Sequence, residues 1–253
     1  MILFSLSGKG DSVRIYGRKI LKEALENDIP IRKVYFAQLE RPSTDFLKLI
    51  ELVEGKGIPY KFVSKEKADN LVHGEKSQGV VIELDGFPYF SLEDALGISA
   101  NTERLVILLD QIQDPHNFGA IVRSAVGAGV DFVVIPKNNS VKVTPAVVKV
   151  SAGTIFKIPI VMVTNLARTI ERLKDEGFWI YAASMGGTPY YKVDVSGDIG
   201  VVFGNEGKGI RRLIVEKCDG IVSIPMRRNI DSLNVAVSAG IIMYDIIRRR
   251  ENK

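Results

Sequence analysis

Residues 105–125 read LVILLDQIQDPHNFGAIVRSA, an unbroken apolar run that stops at Asp110, a polar turn, and then a helix. An apolar run without polar alternation is what a strand covered on both faces needs, and that is the situation of a parallel sheet. Asp114, Pro115 and Asn117 mark the turn, and the helix is read as starting near Gly119. Ligands of open parallel sheets bind at the carboxyl ends of the strands, so this turn is well placed for a site.

The same alternation runs on through the second half of the chain. Residues 131–135, 160–163, 178–183, 200–203 and 221–224 are strand candidates. Residues 118–129, 144–152, 166–175 and 233–250 carry helical spacing, and Thr144 with Pro145 makes a cap and first-turn pair. The final basic run, Arg248–Arg250, suits the negative end of a helix dipole. Strand and helix in turn predict an α/β layer structure.

Upstream, residues 16–27 and 43–54 are helical in spacing, with Ile20, Leu21, Ala24 and Leu25 on one face of the first. Residues 33–38, 60–63 and 79–84 are strand candidates, and 65–71 is a short helical piece. This smaller α/β unit is expected to close near Asp85. Residues 86–104, with Gly86, Pro88, Gly97 and Asn101, show no sustained period and read as a linker with one helical turn at 92–96. The expected division is therefore 1–85, a linker 86–104, and 105–253.

Composition limits the function classes. A chain of 253 residues with 46% hydrophobic and 25% charged residues reads as ordinary globular protein. The longest apolar runs are of strand length, so no membrane partner is expected. The opening Met1–Leu6 is soon broken by Lys9, Asp11 and Arg14, which is unlike a signal peptide. The single Cys218 cannot form an intramolecular disulfide and has no metal-ligand neighbours, so a reducing cytoplasm and no metal are expected. Residues 1–100 hold 14 basic and 15 acidic side chains, the rest 20 and 15, so the net charge of +4 sits in the second half. A basic second half is compatible with an RNA backbone as partner.

Three segments have compositions that a core does not need. The first is the turn and helix start already quoted, with Arg123 facing broadly the same way as Gly119; a capped helix with Arg123 on a solvated face is the plain alternative. The second, Val201–Ile210, is a strand running into a turn with Gly204, Gly207 and Gly209. Its spacing is neither a phosphate loop nor a dinucleotide fingerprint. Glu206 among the glycines would bind a pyrophosphate poorly, so an uncharged or cationic ligand fits better; a simple tight turn is the alternative. The third, Ile224–Gly240, leads from a strand into a basic loop with Arg227, Arg228 and Asn229, and Ser232 or Asn234 caps the last helix. Three polar loops, each after a strand, point to one site.

Together these segments resemble the SpoU (TrmH-like) branch of the SPOUT RNA methyltransferases. Asn117-Phe-Gly-Ala-Ile-Val-Arg123 matches its first motif, Gly204–Gly209 its second, and Ile224–Met226 with Ser232–Val235 its third. The first unit is similar to that branch's L30e-like substrate-binding domain, through Ile15-Tyr-Gly-Arg, Glu23-Ala-Leu and Ser77-Gln-Gly-Val. The resemblance implies a C-terminal parallel-sheet domain with a deep trefoil knot, which general topology rules would not have suggested. It also implies a homodimer formed through that domain, with S-adenosylmethionine as cofactor. Gly204, Ile224 and Leu233 would hold the cofactor, with Met226, Gly209, Ala183 and the turn after 181–183 lining its pocket. Arg123, Asn117, Glu206, Asn234 and Ser232 would be the catalytic group. The two-domain layout looks like the ribosomal RNA guanosine 2′-O-methyltransferases, which implies 23S rRNA as substrate.

The family's proposed base is the arginine at position 123. Arginine holds its proton too tightly for that role. Its expected work is therefore to grip a phosphate and stabilise the developing alkoxide, with Asn117 orienting Arg123 or the ribose and Glu206 and Asn234 organising the loops. His116, beside the first motif, is a candidate proton acceptor outside the family's motif. His73 reads as a loop residue, with a surface RNA contact as the alternative. The rival readings are a transfer RNA ribose methylase, a non-enzymatic RNA-binding protein, and a nicotinamide-dependent enzyme, which the glycine spacing disfavours.

Overall fold

The computed structural model describes residues 12–98, 102–228 and 232–252. Asn101, Asn229 and the opening residues 1–11 lie outside that set. The described residues form two compact units: those of 12–89 with 143–157, and those of 90–142 with 158–252.

The first unit is a four-stranded sheet in the order β1-β4-β2-β3 with helices packed on it. Its elements are β1 (Val13–Tyr16), α1 (Arg18–Glu26), β2 (Ile31–Ala37), α2 (Thr44–Gly55), β3 (Tyr60–Val63), α3 (Lys65–Asn70) and β4 (Val80–Leu84). β4 is buried along its whole length because β1 and β2 flank it antiparallel on both sides. Ser43 and Ser64 cap α2 and α3 by accepting from the amides of Phe46 and Lys67. Phe36, Phe46, Leu21 and Ile15 fill the core, each worth ~1.5–3 kcal/mol on burial.

The second unit is a six-stranded, wholly parallel sheet in the order β10-β8-β9-β5-β6-β7. It contains α4 (Leu92–Ile98), β5 (Leu105–Asp110), α5 (Pro115–Gly127), β6 (Phe132–Pro136), β7 (Ile160–Val163), α7 (Leu166–Asp175), β8 (Trp179–Pro189), β9 (Ile199–Gly204), α8 (Arg212–Lys217), β10 (Gly220–Ser223) and α9 (Val235–Glu251). The buried runs of β5, β6 and β9 are the covered parallel strands that their composition implied. Chain order reverses between β5 and β9, so the carboxyl ends of those two strands flank the switch point.

Four details depart from the sequence reading. α6 (Pro145–Val150), capped by Thr144, packs on β1 within the first unit, although its sequence neighbours belong to the second. β1 forms ahead of the first helix, where no strand was read, and takes Tyr16 out of that helix's expected span. The expected linker holds a real helix, α4, and Phe90 bridges Val161 of β7. α5 begins at Pro115 rather than near Gly119, because Asp114 caps it through the amides of His116 and Asn117. The Asn117 side chain therefore belongs to the first helical turn.

Among the described residues no helix is long and apolar enough to cross a membrane. Cys218 donates its Sγ–H to the Ile214 carbonyl at 3.2 Å, and burial pushes its thiol up to about 12, so it is uncharged at neutral pH.

Candidate active site

A cavity of about 230 Å³ opens in the second unit beside the carboxyl ends of β9 and β10 and the middle of β8. Its floor is the turn after β9. Asn205 and Gly209 exchange two backbone hydrogen bonds of 3.0 and 2.8 Å, and the Asn205 side-chain oxygen accepts from the amides of Gly207 and Lys208. That closure folds the turn back over Gly204, where a Cβ would lie under 3.0 Å from the Gly209 carbonyl carbon and the Ile210 amide nitrogen. Gly209 itself sits at φ +67°, a conformation other L residues adopt only with strain.

One wall comes from β8. No turn follows Ala183, contrary to expectation. Instead the ladder with β10 jumps from the pair Ile221–Ala182 to Val222–Thr188, so residues 183–187 leave the register as a bulge. Ala183, Ser184 and Met185 of that bulge line the cavity. The opposite wall is Ile224, Met226 and Leu233, so all six expected cofactor-contacting residues, with Gly204 and Gly209, border one space. Ser232 borders it too.

The expected catalytic residues fall into a bonded set and an isolated one. Asn117 donates from Nδ2 to Glu206 Oε2 at 3.1 Å, and Asn234 donates from Nδ2 to both Asn117 Oδ1 at 2.8 Å and Glu206 Oε1 at 3.0 Å. The Asn234 side-chain oxygen meanwhile accepts from the amides of Ala236 and Val237, so Asn234 and not Ser232 caps α9. One closed triangle thus ties the starts of α5 and α9 to the glycine turn. Both ends of the Asn117 carboxamide are used, so it does not orient Arg123 by hydrogen bonding. Arg123, on α5 and exposed, has no hydrogen-bond or ion-pair partner among the described residues, while Gly119 one turn before it is buried. His116 is exposed on the same first turn.

Sequence reasoning passed over one pair. Asp110, fully buried at the end of β5, accepts from Arg211 through Nε and Nη2 at 2.9 and 2.7 Å and through the backbone amide at 2.9 Å. Arg211 is the N-cap residue of α8, so the pair fixes the exit of the glycine turn. The available signal was a carboxylate closing an otherwise apolar strand, which must find a partner when buried. Asn205 adds a second tether, donating to the Gln111 carbonyl at 3.1 Å.

The cavity fits a cation better than an anion. Among the described residues that line it none is basic, its one ionisable group is Glu206, and the rest is aliphatic wall, thioether, amide and hydroxyl. A sulfonium-bearing nucleoside matches that donor set, whereas a pyrophosphate would meet no positive charge.

Comparison with known proteins agrees with this chemistry. Residues 104–244 match a family model described as the SpoU rRNA Methylase family, and residues 14–90 match one described as RNA 2'-O ribose methyltransferase substrate binding. A Bacillus subtilis protein assigned to the TrmH family of tRNA/rRNA methyltransferases is 35% identical over 239 residues, 93% of this chain and 95% of the relative. A 23S rRNA (guanosine-2'-O-)-methyltransferase of Xanthomonas campestris is 37% identical over 239 residues, 93% of this chain and 96% of that one. The SpoU methyltransferase AviRb of Streptomyces viridochromogenes, solved with the cofactor AdoMet, shares the fold, with a TM-score of 0.82 over 96% of this chain and 92% of its own, at 22% identity.

Proposed function

The chain belongs to the SpoU rRNA methylase family of RNA methyltransferases, and we propose that its target is a ribose 2′-hydroxyl, that of a guanosine in 23S ribosomal RNA. The observation that carries the reading is the Asn117–Glu206–Asn234 triangle beside a cavity with no basic lining among the described residues. It draws three strand-end segments into one site, with an unpartnered arginine on the helix that the triangle anchors.

S-adenosylmethionine, when bound, supplies a methyl group already activated on a sulfonium. The Gly204 turn and the Ile224, Met226 and Leu233 wall would hold that cofactor, and the Glu206 carboxylate complements its positive charge. The remaining task is to place the ribose oxygen in line and stabilise charge as its proton leaves. Arg123, without a partner among the described residues, is assigned that work: its guanidinium would grip the phosphate next to the target ribose and stabilise the developing alkoxide. Ser232, exposed at the cavity edge, would contact the ribose.

The ribosomal preference is supported by the substrate-binding unit at residues 14–90 and by the Xanthomonas relative. A homodimer through the second unit is supported by the exposed apolar side chains of Val237 and Tyr244 on α9. The knotted topology is supported by α9's end, where Arg249 and Arg250 bind the carbonyls of Tyr190, Val193, Val195 and Gly197. Mass-spectrometric mapping of 2′-O-methylation in ribosomal and transfer RNA, with and without the protein, tests the substrate. Loss of one ribosomal guanosine mark is expected; loss of a transfer RNA mark alone overturns the ribosomal reading. Calorimetric titration with S-adenosylmethionine tests the enzyme, and no binding would overturn it in favour of RNA binding alone.

A further inference from the structure

The second unit holds a further cavity, of about 350 Å³, at the carboxyl ends of β6 and β7, in the half of the sheet away from the cofactor cavity. Its lining includes the polar side chains of Asn138, Asn139, Thr164 and Arg211 and the apolar ones of Pro136 and Leu213. Resting on the reading of the chain as an RNA methyltransferase, we propose that this cavity takes one unpaired nucleobase of the RNA, from a nucleotide near the methylated one. Asn138 and Asn139 read the edge of that base and Leu213 packs against its face, so the base at that position helps to decide which ribose is methylated.

Hydrogen-bonding groups are left over once the loop is built. Residues 137–141 are tied down by other groups: the Lys137 amide donates to the Val163 carbonyl at 2.7 Å, and the Val141 amide and Ser140 hydroxyl donate to the Ile112 carbonyl at 2.8 and 3.3 Å. Asn139 takes a φ of +57°, which asparagine tolerates. The side chains of Asn138, Asn139 and Thr164 are exposed and have no hydrogen-bond partner among the described residues. Arg211 spends Nε and Nη2 on Asp110 and keeps Nη1. A base edge presents donors and acceptors side by side, and a carboxamide carries both. Charge narrows the ligand further. Among the described residues that line the cavity none is acidic, and its one cation, Arg211, is matched by the Asp110 carboxylate. A metal ion or amine would therefore meet no carboxylate, and a phosphate little net charge, whereas a neutral base loses nothing. Leu213, 57% exposed, completes the match as an apolar surface for a flat ring. The volume lies in the ~300–1,000 Å³ range of small-ligand sites.

The place of the cavity ties it to the reaction. β6 is two strands from β9 in the sheet, ~10 Å at the usual strand spacing. Arg211 follows the glycine turn that borders the cofactor cavity, and its own side chain lines this one. A base held here belongs to a nucleotide close in sequence to the one presented to the cofactor. Bases within a duplex have no free face, so the cavity selects unpaired RNA.

The test is NMR titration of the full-length protein with each of the four ribonucleoside 5′-monophosphates, and with ribose 5-phosphate as the probe that lacks a base, read at the backbone amides of Asn139, Ser140 and Leu213. At least one nucleotide should shift these signals saturably, and ribose 5-phosphate should not. The double variant Asn138→Ala, Asn139→Ala should weaken that response by about fivefold or more, and Leu213→Ala should weaken it as well. No shift with any nucleotide would overturn the proposal, as would equal shifts with ribose 5-phosphate, which would mark a phosphate site. Methyl transfer from labelled S-adenosylmethionine to total RNA from cells lacking the protein gives a second readout. The double variant should raise KM for RNA by about fivefold or more with kcat kept, since a base contact away from the reacting atoms is uniform binding. A fall in kcat at unchanged KM would overturn the proposal. Absence of methyl transfer by the parent would remove the methyltransferase reading, while the nucleotide titration alone decides the cavity.

Discussion

The buried carboxylate of Asp110 and the half-exposed guanidinium of Arg211 bind each other across 101 residues of chain, and the Arg211 amide donates to the same carboxylate at 2.9 Å. The link joins the end of β5 to the start of α8 and so closes the glycine turn on both sides. Arg211→Ala removes the side-chain donors and leaves the backbone one, so the charge stays in place but under-satisfied. A loss of ~1–3 kcal/mol in urea unfolding is expected, with weaker S-adenosylmethionine binding because the turn loses its anchor. Parental stability would show that the backbone amide alone suffices.

Asn117, Asn234 and Glu206 are a closed triangle, so their contributions should not add. Asn234→Ala removes two edges and the α9 cap, the cap alone being worth ~0.5–2 kcal/mol. Asn117→Ala removes two edges as well, one of them shared. A double-mutant cycle on stability should give a coupling of ~0.5–3 kcal/mol between the two positions. Additive effects would mean that the edge between them contributes nothing.

How much of this was readable in advance depended on range. The strand-turn-helix pattern of 105–125 and the cap at 234 are local, written in apolar runs and in residues whose side chains bond their own backbone two or three positions on. β1 was missed because it is an edge strand of four residues, with only Ile15 fully buried and Arg14 facing out. The Asp110–Arg211 pair and the placement of α6 were missed because each is decided by packing between segments far apart in sequence. The bulge at 183–187 was read as a turn for a different reason: Ala183-Ser-Met-Gly-Gly187 has turn-like composition, and only the resumption of pairing at Thr188 with β10 shows that the strand continues.

Gly204→Ala sets a Cβ against the backbone of Gly209 and Ile210, which a rotamer change cannot relieve. The turn must then open, and both S-adenosylmethionine binding and methyl transfer should fall by about tenfold or more, roughly 1.4 kcal/mol. Gly207→Ala, where the added carbon meets only the Asn205 side-chain oxygen at 3.7 Å, should be tolerated. Equal behaviour of the two variants in calorimetry would remove the turn from the cofactor site.

Arg123 separates electrostatic help from base catalysis. Lysine keeps the charge and loses the fork, so Arg123→Lys should retain part of the turnover, with a pH profile parallel to that of the parent. Arg123→Ala should lose ~10²–10³ in kcat if the cation stabilises the alkoxide, with S-adenosylmethionine affinity preserved. Equal inactivity of the two variants would instead favour a role that only guanidinium can fill.

Asp69 gives the first unit a defined acid response. Its carboxyl is held below the usual range first by the Ser77 hydroxyl and then by the Ser77 amide, with nearby Lys65 and Lys76 adding to the effect. A lowered folded-state value stabilises the fold above the ordinary aspartate range and loses that contribution as pH falls through the lowered value. Ser77 is buried, so Ser77→Ala also deletes the hydroxyl that accepts from the Gly79 amide, a pH-independent cost of ~1–3 kcal/mol. The stability gap between parent and Ser77→Ala should therefore be widest near neutral pH and narrow on acidification below about pH 4. In carbon-detected NMR the Asp69 carboxyl should titrate at higher pH in Ser77→Ala than in the parent. A constant gap with unshifted titration would mean that the 71–79 turn is held by its own backbone and by Arg18, with Asp69 idle.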